Sequence, residues 1–186
     1  VIIDGKLAYI GGHNVGDEYV SKHPKFGTWR DTHVRLEGPV VKYIQFCFTQ
    51  DWHWATTRIP DLNWDLQKAE TGCEKTLIIA SGPADPLDTC SLMFVHAINM
   101  ARERIWIASP YFVPDRPVIT ALQLAGLRGV DVRILIPDRP DHLAVYLAAF
   151  SFLDEAGRTG VKFYRYLDGF LHEKAMLIDR SVATIG

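Results

Sequence analysis

From Arg104 to Tyr166 the sequence alternates short β-branched runs with longer stretches whose apolar residues recur at helical spacing. Strands are expected over Arg104–Ser109, Val130–Ile136 and Val161–Tyr166, preceded by Thr76–Ala80 and followed by Leu171–Ile178. Helices are expected near 88–103, 117–128 and 141–156. Strands joined through helices cannot pair as hairpins, so this order dictates an α/β fold with a mixed, largely parallel sheet flanked by helices on both faces. In such sheets ligands bind beyond the carboxyl ends of the strands. The proline-bearing loops Pro110–Asp115 and Pro137-Asp138 lie at those ends.

The first third reads differently. Apolar residues on either side of Asp4-Gly5 predict a hairpin over residues 1–11, since that pair suits a turn with positive φ. Residues 15–30 are polar and interrupted by Pro24 and Gly27, and His33–Leu36 alternates like a strand. A helix with an aromatic face (Tyr43, Phe46, Phe48, Trp52) is expected from Pro39 to about Trp54, then a polar linker over 58–75.

Val1–Gly11 also aligns without gaps with Met176–Gly186, sharing an Ile-Asp pair and a closing Ile-Gly. Two copies this far apart indicate a duplicated domain, because solenoid repeats recur every 20–50 residues or so. The chain opens without methionine inside a strand-like run, so it is expected to be a piece of a longer protein, with no signal peptide.

Composition narrows the class. Twenty basic residues against 22 acidic ones, with no basic block, offer no electrostatic footprint for nucleic acid. Three scattered cysteines without a C-x-x-C pair suggest reduced thiols rather than a disulfide framework or zinc site. The longest apolar run, Leu143–Leu153, falls short of the roughly 20 residues a membrane span needs.

The chemistry concentrates near the C-terminus, in His172-Glu173-Lys174 followed after four residues by Asp179. On a regular strand His172 and Lys174 share one face, while Glu173 and Asp179 share the other. An imidazole beside an ammonium suits phosphoryl chemistry: histidine attacks phosphorus or moves a proton, and lysine neutralises phosphate oxygens. By the same alternation Asp179 points away from the reacting phosphate and is expected to fix the following turn through backbone amides. Alone, a histidine and a lysine on a strand also fit a solvated sheet face. The repeat tips the balance, because Asp4 is followed after six residues by Gly11-Gly12-His13-Asn14, and Asp179 after six by Gly186.

These two truncated copies complement each other to H-x-K-x4-D-x6-G-x-x-N, which resembles the signature of the phospholipase D superfamily. The segments Gly27–Val41, Ser109–Asp115, Leu124–Asp138 and Gly169–Lys174 resemble bacterial cardiolipin synthases in particular. Residues 1–72 would then be the C-terminal part of a first phospholipase D-like repeat, and 73–186 the N-terminal part of a second. The first motif's lysine and histidine would fall before Val1. The resemblance implies one metal-free, cofactor-free site built from two motifs. One histidine forms a phosphohistidine and the other protonates the leaving alcohol, so that two phosphatidylglycerols become cardiolipin and glycerol.

His172 would be nucleophile or general acid/base, the latter by analogy, with Lys174 and Asn14 on phosphate oxygens. Gly12 stands where many members carry Ser or Thr. Asp31 resembles the acidic residue that orients the first motif's histidine, and Tyr111 and Phe112 could line a lipid entrance. The resemblance further implies a phospholipid substrate and a parent protein on the bacterial inner membrane, with this part soluble on its cytoplasmic side. The fragment alone is expected to be inactive, and exchange of the two hairpins could give a homodimer. The alternatives are another phospholipase D-type phosphodiesterase, a nuclease or phospholipase, or a non-catalytic lipid- or protein-binding fragment.

Overall fold

The computed structural model describes residues 1–82, 84–139 and 141–186. They form two compact units: Val1–Ile10 with His33–Leu87, and Gly11–Thr32 with Asp88–Gly186.

In the first unit, β1 (Ile2–Ile3) and β2 (Leu7–Gly11) make the expected hairpin, and β4 (His33–Glu37) extends it to three strands. Asp4 and Gly5 both take positive φ, at 53° and 65°. The helix α1 (Val40–Thr56) forms as expected, and the side it turns inward is not the aromatic one. Lys42, Gln45 and Thr49 are buried, whereas Tyr43, Phe46 and Trp52 are exposed. The reason is polar: Lys42 Nζ donates to the carbonyls of Gly5 (3.0 Å) and Asn63 (2.8 Å), and Gln45 Nε2 donates to Asn63 (2.8 Å). Asn63 Nδ2 in turn donates to the Asp4 carbonyl at 3.1 Å. These bonds tie α1 to the hairpin turn, satisfying carbonyls that would otherwise be costly to bury.

The second unit is the α/β layer. Its helices are α2 (Thr89–Met100), α3 (Arg116–Leu127) and α4 (Leu143–Gly157). Its sheet strands are β5 (Arg104–Ala108), β6 (Asp131–Pro137), β7 (Lys162–Tyr166), β9 (Ala175–Ile178) and β10 (Val182–Ile185). They lie in the order β10-β9-β5-β6-β7. The β5, β6 and β7 strands are parallel, as their helical connections require, while on the other side β9 runs antiparallel to β5 and β10 antiparallel to β9. α3 starts cleanly because Asp115 caps it, accepting from the Val118 amide at 2.9 Å, with proline in its first turn.

One face of this sheet (Ile105, Val132, Ile134, Met176, Ile178) packs with Ile98, Ile119 and Leu122 of the helices into the core. Each such buried aliphatic contributes about 1.5–3 kcal/mol. Cover on both faces was expected, but in this unit the opposite face stays open: Tyr164 and Leu177 are each more than two-fifths exposed. Trp106 on that face is flanked by the guanidinium groups of Arg104 (4.5 Å) and Arg133 (5.2 Å).

Two further expectations fail. Thr76–Ala80 forms no strand, and Leu77 is 79 % exposed. An apolar run becomes a strand only where a sheet edge takes up its backbone groups, and no ladder takes this one. Nor is Leu171–Ile178 continuous: β8 (Phe170–Leu171) leaves the main sheet to pair in parallel with β3 (Trp29–Arg30), and β9 begins only after Lys174.

The repeated segments share their hairpin geometry. Ile3 pairs with Leu7 and Ile2 with Ala8, while the aligned Ile178 pairs with Val182 and Leu177 with Ala183. Asp179 takes φ 51°, matching Asp4.

Candidate active site

The site is set by a ladder that local sequence does not reveal. Phe170 N–H donates to the Thr28 carbonyl (2.9 Å) and His172 N–H to that of Arg30 (2.8 Å), so the 28–32 segment runs beside the histidine. Gly169 makes this approach possible. It sits at φ 131°, and a Cβ there would lie 2.1 Å from the Thr28 carbonyl oxygen. Glu173 fastens the other side, accepting from Thr32 Oγ1 at 2.5 Å and pairing with Arg30 at 3.6 Å. Sequence reasoning found no role for Glu173; here it holds the residues on both sides of Asp31.

Asp31 is thereby brought against His172, with Oδ2 at 2.8 Å from Nδ1. Its side chain is only 5 % exposed. Asp31 was expected beside the first motif's histidine, which would fall before Val1; within this chain its carboxylate meets the histidine of the second motif. The two segments are 141 residues apart in sequence, a pairing only the β3–β8 ladder creates. Thr32 N–H (2.8 Å) and Trp29 Nε1 (3.4 Å) donate to the same carboxylate. An ionised carboxylate only accepts, so Nδ1 carries a proton and Nε2 is the nitrogen left to gain or give one.

Lys174 lies over this ring. Its ammonium is 3.1 Å from Nε2 and 3.3 Å from Nδ1, and it donates to the His172 carbonyl at 2.9 Å. His172 and Lys174 are thus neighbours as expected, although no regular strand carries them. Burial pushes the Lys174 pKa down, and the carboxylates of Asp31 and Asp141 oppose that. An aromatic wall of Tyr19, Trp29 and Phe170 stands beside the imidazole, with ring centroids 6.0, 5.0 and 6.2 Å away.

Gly12 belongs to the site for a steric reason. A Cβ there would fall 2.4 and 2.6 Å from the two Asp31 oxygens, so the missing side chain is the space the carboxylate occupies. Asn14 is exposed, and its side-chain oxygen accepts from the Val15 amide (2.8 Å). Asp179 sits at the far end of β9 from Lys174. It accepts backbone N–H groups as expected, but those of Arg102, Glu103 and Arg104 at the start of β5, not those of the following turn. These bonds hold its carboxyl below the usual carboxylate range.

The sheet register collects further groups at the same end. Ala175 pairs with Ala108, so the start of β9 lies beside the end of β5. The loop after β5 carries Tyr111, and the loop after the neighbouring β6 leads to Asp141. Tyr111 Oη donates to Asp141 Oδ2. Phe112 is buried in the core, packed on Phe163 at 5.4 Å, and so lines no entrance. His142 is the residue just before α4, as expected. No helix among the described residues is long and apolar enough to cross a membrane.

A family profile described as "Cardiolipin synthase, PLD-like domain" matches residues 94–186. Over its whole length the chain is 53 % identical to proteins named Cardiolipin synthase A from Pseudomonas putida and Pseudomonas aeruginosa. It spans 39 % of the length of the former and 38 % of the latter. Among solved structures, the phosphatidylserine synthase of Haemophilus influenzae superposes on 96 % of the chain and half of its own length, with a TM-score of 0.59 at 13 % identity. At that identity the likeness concerns the fold.

Proposed function

The chain belongs to the family of phospholipase D-like domains of cardiolipin synthases, and from that premise we propose that it supplies the second catalytic motif of a phosphatidyltransferase. The observation that carries this reading is the Asp31–His172–Lys174 array. A buried carboxylate holds Nδ1, Nε2 is left for proton transfer or attack, and an ammonium stands ready for a phosphate oxygen.

In the proposed reaction a first-motif histidine attacks the phosphorus of one phosphatidylglycerol. The P–N bond forms as the P–O bond to glycerol breaks, and His172, protonated on Nε2, gives that proton to the departing glycerol oxygen. Neutral again, His172 takes the proton from a hydroxyl of a second phosphatidylglycerol. That oxygen then attacks phosphorus, the P–N bond breaks and cardiolipin leaves. Lys174 holds the non-bridging oxygens throughout, and Asn14, exposed after Gly12, is available to them. Asp31 keeps Nδ1 protonated and steadies the imidazolium. Gly12 contributes by admitting Asp31, and Asp179 by anchoring the β9 strand that leads from Lys174.

The shared hairpin register supports reading residues 1–72 as the end of one repeat and 73–186 as the start of another. The working site then needs both motifs, in a parent protein acting at the bacterial inner membrane. The full-length protein, assayed with phosphatidylglycerol and EDTA, is expected to release cardiolipin and glycerol in equal amounts, while residues 1–186 alone release neither. Hydrolysis of an unrelated phosphodiester without cardiolipin would keep the site chemistry and discard the lipid assignment.

A further inference from the structure

A largely desolvated carboxylate near the Lys174 ammonium needs a reason, because it repels the phosphate that Lys174 is proposed to attract. Asp31 has one, in His172. Asp141 has no histidine of the site to orient. Its side chain is 17 % exposed, yet it is close enough to Lys174 to oppose the effect of burial on that ammonium. Tyr111 Oη donates to Oδ2, and the His142 backbone amide donates to Oδ1 at 2.7 Å. His142 Nε2, largely exposed, lies 3.8 Å from Oδ2.

A carboxylate has about four acceptor positions. Among the described residues two are taken by hydrogen bonds, which leaves up to two on an oxygen pair whose orientation is locked by the His142 amide and by the tyrosine. Tyr111 comes from the loop after β5 and Asp141 from the stretch after β6, so both stand at the end of the sheet where Lys174 lies. Two fixed acceptors near the phosphate position match a group carrying two adjacent hydroxyls, whose oxygens lie three and four bonds from the phosphoester oxygen in a glycerol headgroup.

Resting on the phosphatidyltransferase reading above, we propose that Asp141, steadied by Tyr111, is the specificity-determining residue that accepts hydrogen bonds from the vicinal hydroxyls of a glycerol-type headgroup or acceptor. Plain alcohols lack the second hydroxyl and leave the carboxylate short of a partner.

The test is a competition in the full-length protein. Phosphatidylglycerol is the donor, and deuterated glycerol and 1-propanol are supplied together as acceptors. The readout is the ratio of deuterated phosphatidylglycerol to phosphatidylpropanol. In the wild type glycerol should be favoured, and Asp141→Asn should lower the ratio about tenfold, the scale of one charge-assisted hydrogen bond. Tyr111→Phe, which keeps the ring and its packing, should lower it in the same direction by about threefold on the same scale. An unchanged ratio in both variants, with only the total rate reduced, would overturn the proposal and leave Asp141 a structural role. Preference of the wild type for ethanolamine over glycerol would assign the carboxylate to an ammonium and overturn it too. A wild type that transfers to no alcohol at all would instead refute the phosphatidyltransferase reading, and this inference with it.

Discussion

Replacing Gly12 by alanine should disconnect His172 without touching it. The added methyl carbon would sit 2.4 Å from Asp31 Oδ1 and 2.6 Å from Oδ2, far inside contact distance. The carboxylate cannot swing away freely, because the Thr32 amide, the Trp29 indole and His172 Nδ1 all hold it. Something must give. The backbone of Gly12 is itself tied, donating to the Thr32 carbonyl at 3.2 Å, so the carboxylate moves and the 2.8 Å bond to His172 is lost. A hydrogen bond to a charged group is worth about 1.5–3 kcal/mol, so kcat/KM of the full-length enzyme should fall roughly 10- to 150-fold. The accompanying signature is spectroscopic: the Nδ1 proton of His172 is expected to be strongly deshielded in the wild type, and in Gly12→Ala that resonance should disappear or move upfield. If Gly12→Ala keeps that resonance and kcat/KM within about a factor of two, the steric coupling of Gly12 to His172 is wrong.

Gly169→Ala should break the β3–β8 ladder, since its Cβ would meet the Thr28 carbonyl at 2.1 Å and its φ of 131° disfavours any side chain. A fall in unfolding free energy of about 2 kcal/mol or more, read from urea midpoints, is expected. Asp179 has a depressed carboxyl pKa, so the stability it contributes is present above the ordinary carboxylate range and fades as pH falls through its folded value. Asp179→Asn should therefore lower the urea midpoint at neutral pH, and the gap to wild type should close on acidification. Lys174 must stay protonated to hold phosphate, and burial already lowers its pKa against the opposing carboxylates of Asp31 and Asp141. Asp141→Asn should accordingly move the alkaline limb of the pH–rate profile to lower pH.

How far the sequence reached depended on the range of each interaction. The strands β5, β6 and β7 and their helices are encoded by local periodicity, and their expected positions agree with the structure to within a residue or two at most ends. The nearness of His172 and Lys174 was also legible, because it needs only two residues in extended backbone. The partner of His172 was not legible, since Asp31 reaches it through a parallel pairing between distant segments. Glu173 and Gly12 were opaque for the same reason: each acts on Asp31 or its neighbours, and nothing near them in sequence says so. The buried side of α1 was not legible in its composition: the carbonyls of Gly5 and Asn63 need donors, and Lys42 and Gln45 supply them from the side away from the aromatic residues. Thr76–Ala80 has strand-forming residues and no ladder to join, so propensity alone did not decide it.

The proposed phosphatidyl transfer requires His172 as a working member of the site, held in place by Asp31. Cardiolipin formation from phosphatidylglycerol, with EDTA present, should be compared for the full-length wild type, His172→Ala and Asp31→Asn. His172→Ala is expected to abolish product, and Asp31→Asn to lower kcat by about 10- to 150-fold with little change in KM. Full activity in His172→Ala would contradict a catalytic role for His172.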